Sequence, residues 1–478
     1  MKDLNRTNYP TGKRPIKVLQ FGEGNFLRAF VDWIIQDLND NGIMNADVAV
    51  VQPTFQGRAA DLAEQDGLYT VCLEGIDNGK KVQIREVIDV LRDFINPYTQ
   101  YEKFLSYAAS GELEIIVSNT TEAGIALDET DTDFTVCPKS YPGKLLAFLK
   151  ARYDHFSGAA DKGLAIVPCE LIDHNGEELR RVLNELAKIN GMDSAFIDWL
   201  NSANHFTNTL VDRIVPGYPR DNAAAICEET GYNDNSIVKG EVFHLWVLQK
   251  EPLVQEKLPA DRSRLNVIFA DDITPYKQRK VKILNGSHTA MVPIAYLCGI
   301  DTVREAVTDE DVGKFIRDMV NEEVKPTIDL PADEMDAFAN AVMERFMNPY
   351  IRHELMSIAL NSTTKFRTRL LPSYNDYRAK FGKSPKHILF ALASLIVFFR
   401  GRRGDAEIEL NDDAAYLEFW KELWQLSDYS KMSGIVLSAS EIWQQDLTDD
   451  DNVNIVAGYI KNIVEKGERA ALKEFLGE

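Results

Sequence analysis

IKVLQFGEG, residues 16–24, is the stretch that decides the fold of this chain. Its first six residues, IKVLQF, predict a compact strand, and a Gly-Glu-Gly turn follows at once. Apolar residues then recur at helical spacing: Phe26, Leu27, Phe30, Ile34 and Leu38. A strand, a Gly-x-Gly turn and a helix open a dinucleotide-binding fold, because the glycines let backbone N–H groups approach a pyrophosphate.

The turn and the next strand supply the first candidates for cofactor binding. Leu27 occupies the position of the third glycine of the usual fingerprint. A second strand is predicted at residues 48–51, and Gln52 stands where an acidic residue would meet the ribose hydroxyls. Arg58 could contact a 2′-phosphate or be solvated, so the residues alone leave NAD and NADP open. The candidate cofactor-binding residues of this region are Phe21, Gly22, Glu23, Gly24, Asn25, Phe26 and Gln52.

Polar loops follow two further predicted strands, at residues 114–117 and 164–167. Loops at the carboxyl ends of parallel strands are where such sheets bind ligands. Asn119 and Thr120 therefore join the candidate cofactor contacts, although Asn and Thr also often cap the segment that follows. Helix caps are expected at two more positions, Asn175 and Thr308.

The chain changes character after residue 273. A late strand is predicted at residues 265–272, and Thr274-Pro275 ends this region. Helical periodicity dominates from residue 280 onward. We expect an α/β fold in two domains. Residues 1–273 form a Rossmann-like dinucleotide-binding domain, and residues 274–478 form a mostly α-helical C-terminal substrate domain.

Composition limits the function classes. The chain has 478 residues, 45% of them apolar and 27% charged, as in a soluble globular protein. Its net charge of −21 argues against nucleic acid and anionic membranes as partners, and an anionic substrate would need a local basic cluster. Five scattered cysteines without a CxxC pair predict neither disulfides nor zinc. With no signal peptide or membrane span, we expect a cytoplasmic monomer or small homo-oligomer.

KVKILNGSH, residues 280–288, carries candidate chemistry. On an α-helix, Asn285 lies about 140° and His288 about 80° around from Lys280, so three polar groups share one side. An ammonium, a carboxamide and an imidazole can move a proton, hold an oxyanion and orient a hydroxyl, which alcohol–ketone interconversion needs. The alternative is a solvated lysine and a hydrogen-bonded core histidine.

Several motifs in the same order give these residues a context: FGEGNFLRAF (21–30), SNTTEAGI (118–125), PCELID (168–173), FTNTLVDRIVP (206–216) and KVKILNGSH. Together they resemble the polyol-specific long-chain dehydrogenase family, which includes mannitol dehydrogenases and hexuronate reductases. The resemblance covers nearly the whole chain and is greatest to the hexuronate reductases.

The resemblance implies NAD as cofactor, a sugar-acid substrate and no metal. It further implies that Lys280 is the catalytic acid and base, that Asn208 and Asn285 donate amide hydrogens to an oxyanion, and that His288 orients the substrate. The reaction would be reduction of a keto-hexonate by NADH. A lysine does this near neutral pH only where burial or a neighbouring cation lowers its pKa. Lys282 and the nicotinamide ring are candidate neighbours.

A basic run, TTKFRTR at residues 363–369, stands out in this acidic chain. Arginine binds carboxylates through two hydrogen bonds, so Lys365, Arg367 and Arg369 are candidates for the acid end of a sugar acid. Lys365 is favoured by its place in the family pattern. A solvated basic face is the alternative.

Other functions stay open. Within the family, the chain could be a fructuronate reductase or a mannitol-type polyol dehydrogenase, although the basic run favours an acid over a neutral polyol. Outside it, the chain could be a dinucleotide-dependent epimerase or a non-catalytic sugar-acid sensor.

Overall fold

The structure is a computed structural model that describes residues 1–120 and 123–477. Thr121 and Glu122 of the SNTTEAGI motif, and Glu478, lie outside the described residues. The chain divides into two compact units. The first comprises residues 1–75 and 81–273, and the second comprises residues 76–80 and 274–478.

The first unit contains the parallel sheet. Its strands are β1 (Lys2–Asp3), β2 (Ile16–Phe21), β3 (Asp47–Val51), β4 (Tyr69–Asp77), β5 (Lys80–Ile88), β6 (Leu91–Ile95), β7 (Ile115–Ser118), β8 (Ala165–Pro168), β9 (His205–Phe206), β10 (Thr209–Asp212), β11 (Tyr232–Asn233), β12 (Val238–Glu241), β13 (Leu245–Gln249) and β14 (Val267–Ala270), with the tip of the β4–β5 hairpin in the second unit. Six of them form one all-parallel sheet in the order β6-β3-β2-β7-β8-β9. The predicted Rossmann-like α/β fold is confirmed.

Neighbouring side chains of each strand supply opposite faces of this sheet. Val48 and Val50 of β3 belong to one buried cluster, whereas Ala49 and Val51 belong to the other. Because successive residues of a strand alternate between faces, a sheet covered on both sides needs apolar residues at every position. The sequence therefore shows continuous apolar runs at these strands.

Helices of this unit cover both faces of the parallel sheet and flank the smaller sheets. They are α1 (Asn25–Ala29), α2 (Val31–Asp40), α3 (Ala59–Glu64), α4 (Tyr101–Ser106), α5 (Tyr141–His155), α6 (Asn175–Ile189), α7 (Ser194–Ser202), α8 (Ala223–Thr230) and α9 (Pro252–Lys257). The single helix predicted after the glycine turn is interrupted at Phe30, whose φ of −130° is not helical. Smaller sheets complete the unit, in the orders β10-β13-β14, β12-β4-β5 and β1-β11.

The second unit is helical, as predicted. Its helices are α10 (Thr274–Arg279), α11 (Gly286–Leu297), α12 (Val303–Thr308), α13 (Glu310–Met319), α14 (Ala332–Phe346), α15 (Leu355–Ile358), α16 (Ser362–Arg369), α17 (Leu371–Phe381), α18 (Lys386–Phe398), α19 (Ala414–Leu423), α20 (Tyr429–Ser438), α21 (Ser440–Trp443), α22 (Asp450–Lys466) and α23 (Glu468–Leu476). Two π-helices, Lys280–Asn285 and Val320–Val324, and a short hairpin of β15 (Arg402–Arg403) and β16 (Ala406–Glu407) accompany them.

The core of this unit is built around α18, which is buried from His387 to Phe398. It is the longest apolar run of the sequence. Among the described residues, no helix is long and apolar enough to cross a membrane. The predicted cap at Thr308 is wrong, because Asp309 caps α13 by accepting hydrogen bonds from the backbone N–H groups of Asp311 and Val312.

Candidate active site

The glycine turn after β2 has a backbone that only glycine adopts readily. Gly22 has a φ of +127°, and a Cβ there would lie 2.9 Å from Leu27 Cδ1 and 3.2 Å from the Asn119 carbonyl oxygen. A Cβ on Gly24 would meet nothing within 4 Å. Protein atoms thus pack directly against Gly22, whereas the space beside Gly24 is open and a ligand could approach the backbone there.

The segment after β3 folds over this turn. Gly57 passes so close that a Cβ would lie 2.3 Å from Glu23 Oε1 and 2.4 Å from Gln52 Cδ. Glu23 Oε1 accepts a hydrogen bond from the backbone N–H of Arg58, and Gln52 donates to the Thr54 and Phe55 carbonyls. Burial raises the pKa of Glu23, whose Oε2 atom is buried with no hydrogen-bond partner in the described residues. Glu23 therefore offers an acceptor to a ligand.

Glu170 joins the loops that follow β7 and β8. Its carboxylate accepts hydrogen bonds from the Ser118 hydroxyl at 3.0 Å and from the Thr120 backbone N–H and hydroxyl, each at 2.9 Å. Asn119 donates to the Cys169 carbonyl at 2.7 Å. Asn119 and Thr120 thus lie at the carboxyl edge of the sheet, and their side chains fix the loops. Glu170 stands in the PCELID motif but was not singled out from sequence.

Asn208 follows the edge strand β9 at the same edge, and all of its side-chain hydrogen-bonding groups are engaged. Its Oδ1 accepts from the backbone N–H groups of Gly176 and Glu177, at 3.0 and 3.1 Å. Its Nδ2 donates to Glu177 Oε1 at 2.8 Å and to Gln249 Oε1 at 2.7 Å. Asn208 therefore caps α6 from outside it. The predicted cap, Asn175, is the first residue of α6; its Oδ1 accepts from the backbone N–H groups of Gly176 and Thr209, and its Nδ2 donates to the Pro168 and Glu170 carbonyls.

Residues Lys280–Asn285 of the second unit form a π-helix, not the α-helix assumed for the angles given above. A π-helix hydrogen-bonds residue i to residue i+5, which stacks Asn285 on the same side as Lys280. Such turns occur frequently at functional sites. Lys282 is buried and pairs with Asp376 at 2.6 Å, so its charge is compensated by α17.

His288 is the third residue of α11, in its first turn, and is buried. Its ring packs 4.4 Å from the Phe346 ring and 5.2 Å from the His353 ring. Burial, followed by His353 and the nearby cations Arg345, Arg369 and Lys365, holds the pKa of His288 well below its usual value. The imidazole is thus neutral, and its Nε2 atom is buried with no hydrogen-bond partner in the described part of the chain.

The basic run on α16 contributes two of these cations. Lys365 donates to the Ile358 carbonyl at 2.7 Å, and burial followed by Arg369 lowers its pKa. The Arg369 carbonyl lies 3.5 Å from where a Cβ of Gly286 would stand, so α16 ends beside the start of α11. Arg367 points elsewhere and donates to the Tyr416 hydroxyl and the Ile442 carbonyl.

The structure thus brings His288 together with Lys365 and Arg369 in the second unit, and the glycine turn together with Gln52, Asn119 and Thr120 at one sheet edge in the first. Arg345 and His353 were missed from sequence. No charge pattern in the sequence distinguishes them from ordinary surface residues. The structure leaves the assigned chemical roles of all these residues as predictions.

Known proteins resemble the chain over its full length. Family models for the mannitol dehydrogenase Rossmann domain and C-terminal domain match residues 16–262 and 272–464. Altronate oxidoreductase from Yersinia enterocolitica is 44% identical, with 99% of this chain and 100% of that protein aligned. Altronate oxidoreductase from Escherichia coli O6:K15:H31 is 45% identical, with 99% of each chain aligned.

Solved structures share the fold. A Pseudomonas fluorescens mannitol 2-dehydrogenase, solved with NAD and D-mannitol, has a TM-score of 0.70 at 23% identity and covers 100% of both chains. A substrate-free D-sorbitol dehydrogenase has a TM-score of 0.82 at 23% identity and covers 99% of this chain and 100% of its own. With both family models matched in order, the chain belongs to the mannitol dehydrogenase family of oxidoreductases.

Proposed function

We propose that this protein is a metal-independent reductase that uses NADH to convert the keto-hexonate D-tagaturonate to D-altronate, reversibly, in hexuronate catabolism. The 44–45% identity to altronate oxidoreductases over full length supports this assignment. The observation that carries it is the state of Arg369. Its half-buried guanidinium makes no hydrogen bond or ion pair with any described residue, and burial lowers its pKa.

A half-buried guanidinium with no protein partner keeps its N–H groups available, and a carboxylate can accept two charge-assisted hydrogen bonds from them. Arg369 stands with Lys365 beside the unpartnered Nε2 of His288, so an anionic group and a hydrogen-bonding oxygen are both missing there. A sugar acid carries both. Because the whole chain has a charge of −21, this local cluster is what would attract a carboxylate.

The first unit has groups that fit a dinucleotide. Gly22 and Gly24 keep the backbone accessible above the turn, and the unpartnered Glu23 Oε2 suits a ribose hydroxyl. A carboxylate here disfavours a 2′-phosphate, and Arg58 is already paired with Asp61 at 3.0 Å. These contacts favour NAD over NADP. When bound, the cofactor supplies or accepts the hydride.

The residues of the second unit would handle the proton. Lys280 donates it to the oxygen of the ketone as the alcohol forms, and takes it back in the reverse direction. Asn285, one π turn further on, would donate an amide hydrogen to the same oxygen. Neutral His288 would bind a hydroxyl and fix the substrate's orientation, and Lys365 and Arg369 would hold the carboxylate.

The test is a substrate panel combined with two arginine variants. Tagaturonate, fructuronate and fructose are each offered with NADH or NADPH, and absorbance is followed. We expect tagaturonate with NADH to give the highest kcat/KM. Arg369→Met should raise KM for the acid about tenfold to a hundredfold, because a charge-assisted hydrogen bond is lost, and should leave turnover of fructose unchanged.

Arg367→Met is the matched control, since its guanidinium binds Tyr416 and Ile442. It should lower the melting temperature without changing KM for the acid. Equal KM values for Arg369→Met and the wild type would refute the carboxylate role. Higher kcat/KM with fructose than with either acid would refute the assignment as a sugar-acid reductase.

A further inference from the structure

Gln20 and Asp32 are two fully buried polar side chains beside the glycine turn of the first unit. The Gln20 amide donates to the Gly22 carbonyl at 3.0 Å and to Asp32 Oδ2 at 3.4 Å. A carbonyl oxygen can only accept, so the Gln20 atom that faces Gly22 must be Nε2. Gln20 therefore connects Asp32, in the first turn of α2, to the backbone of the glycine turn.

The surroundings of Asp32 supply too few hydrogen-bond donors for an ionised carboxylate. Among the described residues, Asp32 accepts from the Gln20 amide and from the Tyr69 hydroxyl, the latter at 3.2 Å. The same hydroxyl lies 3.0 Å from the Arg28 carbonyl, and its single hydrogen serves one of the two oxygens. Asp32 Oδ1 and Gln20 Oε1 are buried acceptors without a partner in the described part of the chain. One additional hydrogen on the Asp32 carboxyl would reduce this deficit.

The hydrogen-bond distances at Asp32 also differ from those at an ionised aspartate of the same unit. A hydroxyl that donates to a carboxylate lies about 2.5–2.7 Å from it. The Tyr107 hydroxyl lies 2.6 Å from Asp93 Oδ2. Although burial opposes ionisation there, hydrogen bonds from Lys103 and Tyr107 lower the pKa of Asp93. The 3.2 Å contact between the Tyr69 hydroxyl and Asp32 is unlike that of a carboxylate.

Arg28 and Tyr69 are the charged or titratable groups that act on Asp32, and neither compensates a negative charge there. Arg28 forms no ion pair with Asp32 within the described residues. Its guanidinium donates to the Ser236 carbonyl and to Asn25 Oδ1 instead. Burial raises the pKa of Tyr69 well above its usual value, so the phenol stays protonated. Burial also raises the pKa of Asp32 to about 7, although the hydrogen bonds and the Arg28 charge oppose it.

We propose that Asp32 is a neutral carboxylic acid in the folded protein and a positioning residue of the glycine turn, acting through Gln20 on the Gly22 carbonyl. A neutral Asp32 leaves Gln20 Nε2 bonded to Gly22, whereas a carboxylate would attract the same amide and weaken that bond. The turn would then hold the dinucleotide less tightly as pH rises and Asp32 ionises. This role rests on the proposed use of NADH, and Asp32 performs it from the protein interior.

Asp32→Asn tests the protonation state through stability, without any ligand. Asparagine keeps the shape of the neutral acid and cannot ionise. An acid whose pKa is raised on folding contributes less stability as pH rises from its unfolded pKa, about 4, to its folded pKa, about 7. We therefore expect the melting temperature of the wild type to fall relative to that of Asp32→Asn across this window and to run parallel above it.

Asp93→Asn is the matched control for this exchange of a carboxyl for an amide. Folding lowers the pKa of Asp93, so the stability that the wild type gains from this residue should disappear as pH falls, the opposite direction. If the melting temperature of Asp32→Asn follows the wild type at every pH, or differs from it in the direction of Asp93→Asn, Asp32 is ionised and the proposal is overturned.

NADH binding, followed by calorimetry at several pH values, tests the positioning role. The Kd of the wild type should rise between about pH 6 and pH 8 by up to about tenfold, as the protonated fraction of Asp32 falls. Asp32→Asn should keep the low-pH Kd throughout, and Asp93→Asn should follow the wild type. Gln20→Met should bind NADH about threefold to tenfold more weakly at every pH, because the bond to Gly22 is lost.

Glu23 titrates beside the same turn but cannot imitate this pattern. Burial raises its pKa too, yet its charged form would accept from a ribose hydroxyl, so its ionisation would lower the Kd for NADH. Glu23 is also unchanged in Asp32→Asn. A wild-type Kd that does not rise with pH, or a rise that persists in Asp32→Asn or in Gln20→Met, overturns the positioning role.

The outcome stays separable from that of the proposed function. NADH binding is measured without a sugar substrate, so a wild type that prefers fructose refutes the sugar-acid assignment and leaves this test intact. If the wild type binds NADPH and not NADH, the cofactor assignment fails, and the same variants measured with NADPH decide by the same criteria. If the wild type binds neither dinucleotide, the glycine turn does not hold one and the positioning role is overturned.

Discussion

Two groups of candidate residues, one in each unit, differ in how far hydrogen bonds within the protein satisfy their side chains. In the first unit, the side chains of Asn208, Asn119 and Thr120 donate hydrogen bonds to backbone groups and to neighbouring side chains. In the second unit, the Nε2 of His288 and the guanidinium of Arg369 have no partner among the described residues. The candidate residues are therefore of two kinds: those whose side chains are hydrogen-bonded within the protein, and those with a polar group for which no described residue is a partner.

This difference has an energetic meaning. A buried polar group left without a hydrogen bond costs about 1–3 kcal/mol, so a folded protein retains one where something else compensates it. Asn208 incurs no such penalty, and replacing it removes a helix cap as well as two side-chain bonds. His288 carries this cost, because its buried Nε2 has no hydrogen-bond partner among the described residues. Loss of activity at a satisfied residue thus reports on positioning, and loss at an unsatisfied one reports on binding.

Lys280→Ala should produce the largest effect that tests this distinction. Removing the proposed acid and base should lower kcat about 10²- to 10⁴-fold, the usual range for general acid–base catalysis. The fold should persist, because Lys280 lies on the partly exposed side of the π-helix. Steady-state kinetics with a keto-hexonate and NADH at neutral pH measures the change.

Lys282→Met is the control two residues away. The Lys282 ammonium is buried and donates hydrogen bonds to Asp376 and Thr327, so its loss removes contacts that hold the helices together and should lower the melting temperature more than the turnover. Near-normal turnover of Lys280→Ala would end the proposed role of Lys280. A loss of turnover in Lys282→Met as large as that in Lys280→Ala would show that the whole π-helix, and not one ammonium, sets activity.

His288→Phe should have the next largest effect. Phenylalanine keeps the packing against Phe346 and His353 and removes the unpartnered Nε2. We expect kcat/KM to fall about tenfold to a hundredfold through one lost substrate hydrogen bond, while the melting temperature holds or rises because an unmet buried polar atom disappears. A marked loss of stability with unchanged kcat/KM would make His288 an ordinary core residue.

The sequence predicted the sheet well for a physical reason. The strands at residues 48–51, 114–117 and 164–167 are covered on both faces, so they show as continuous apolar runs that few other structures share. The glycine turn was equally predictable from sequence, because Gly22 has a backbone conformation that other residues avoid. The sequence thus predicted those features that are determined by residues adjacent in the chain.

Features that depend on contacts between residues far apart in the chain, or on hydrogen bonds alone, could not be predicted from the sequence. The cap of α6 is Asn208, more than thirty positions from the N–H groups it receives, so spacing favoured Asn175 instead. The π-helix at Lys280 uses the same apolar residues as an α-helix would, and only its hydrogen bonds distinguish the two. The two arginines of α16 looked alike in sequence, yet the Arg367 guanidinium donates to the Tyr416 hydroxyl, whereas that of Arg369 has no partner among the described residues.

The smallest predicted effect is a pH dependence of substrate binding that arises from Lys365. Burial and Arg369 lower the pKa of Lys365, so its charge is lost at a lower pH than that of an ordinary lysine. Its contribution to carboxylate binding is therefore complete at low pH and disappears as pH rises through that pKa. We expect KM for the sugar acid to rise several-fold in that range, and KM for fructose to stay level.

Lys365→Arg separates this titration from the others in the site. Arginine keeps its charge through the whole range, so the rise in KM should vanish while the cluster retains its cation. His288 cannot imitate the effect, since its pKa is held well below neutral and it stays uncharged there. A rise in KM that persists in Lys365→Arg must come from another group, and Lys365 would then belong with Arg367 among the residues that the protein has already engaged.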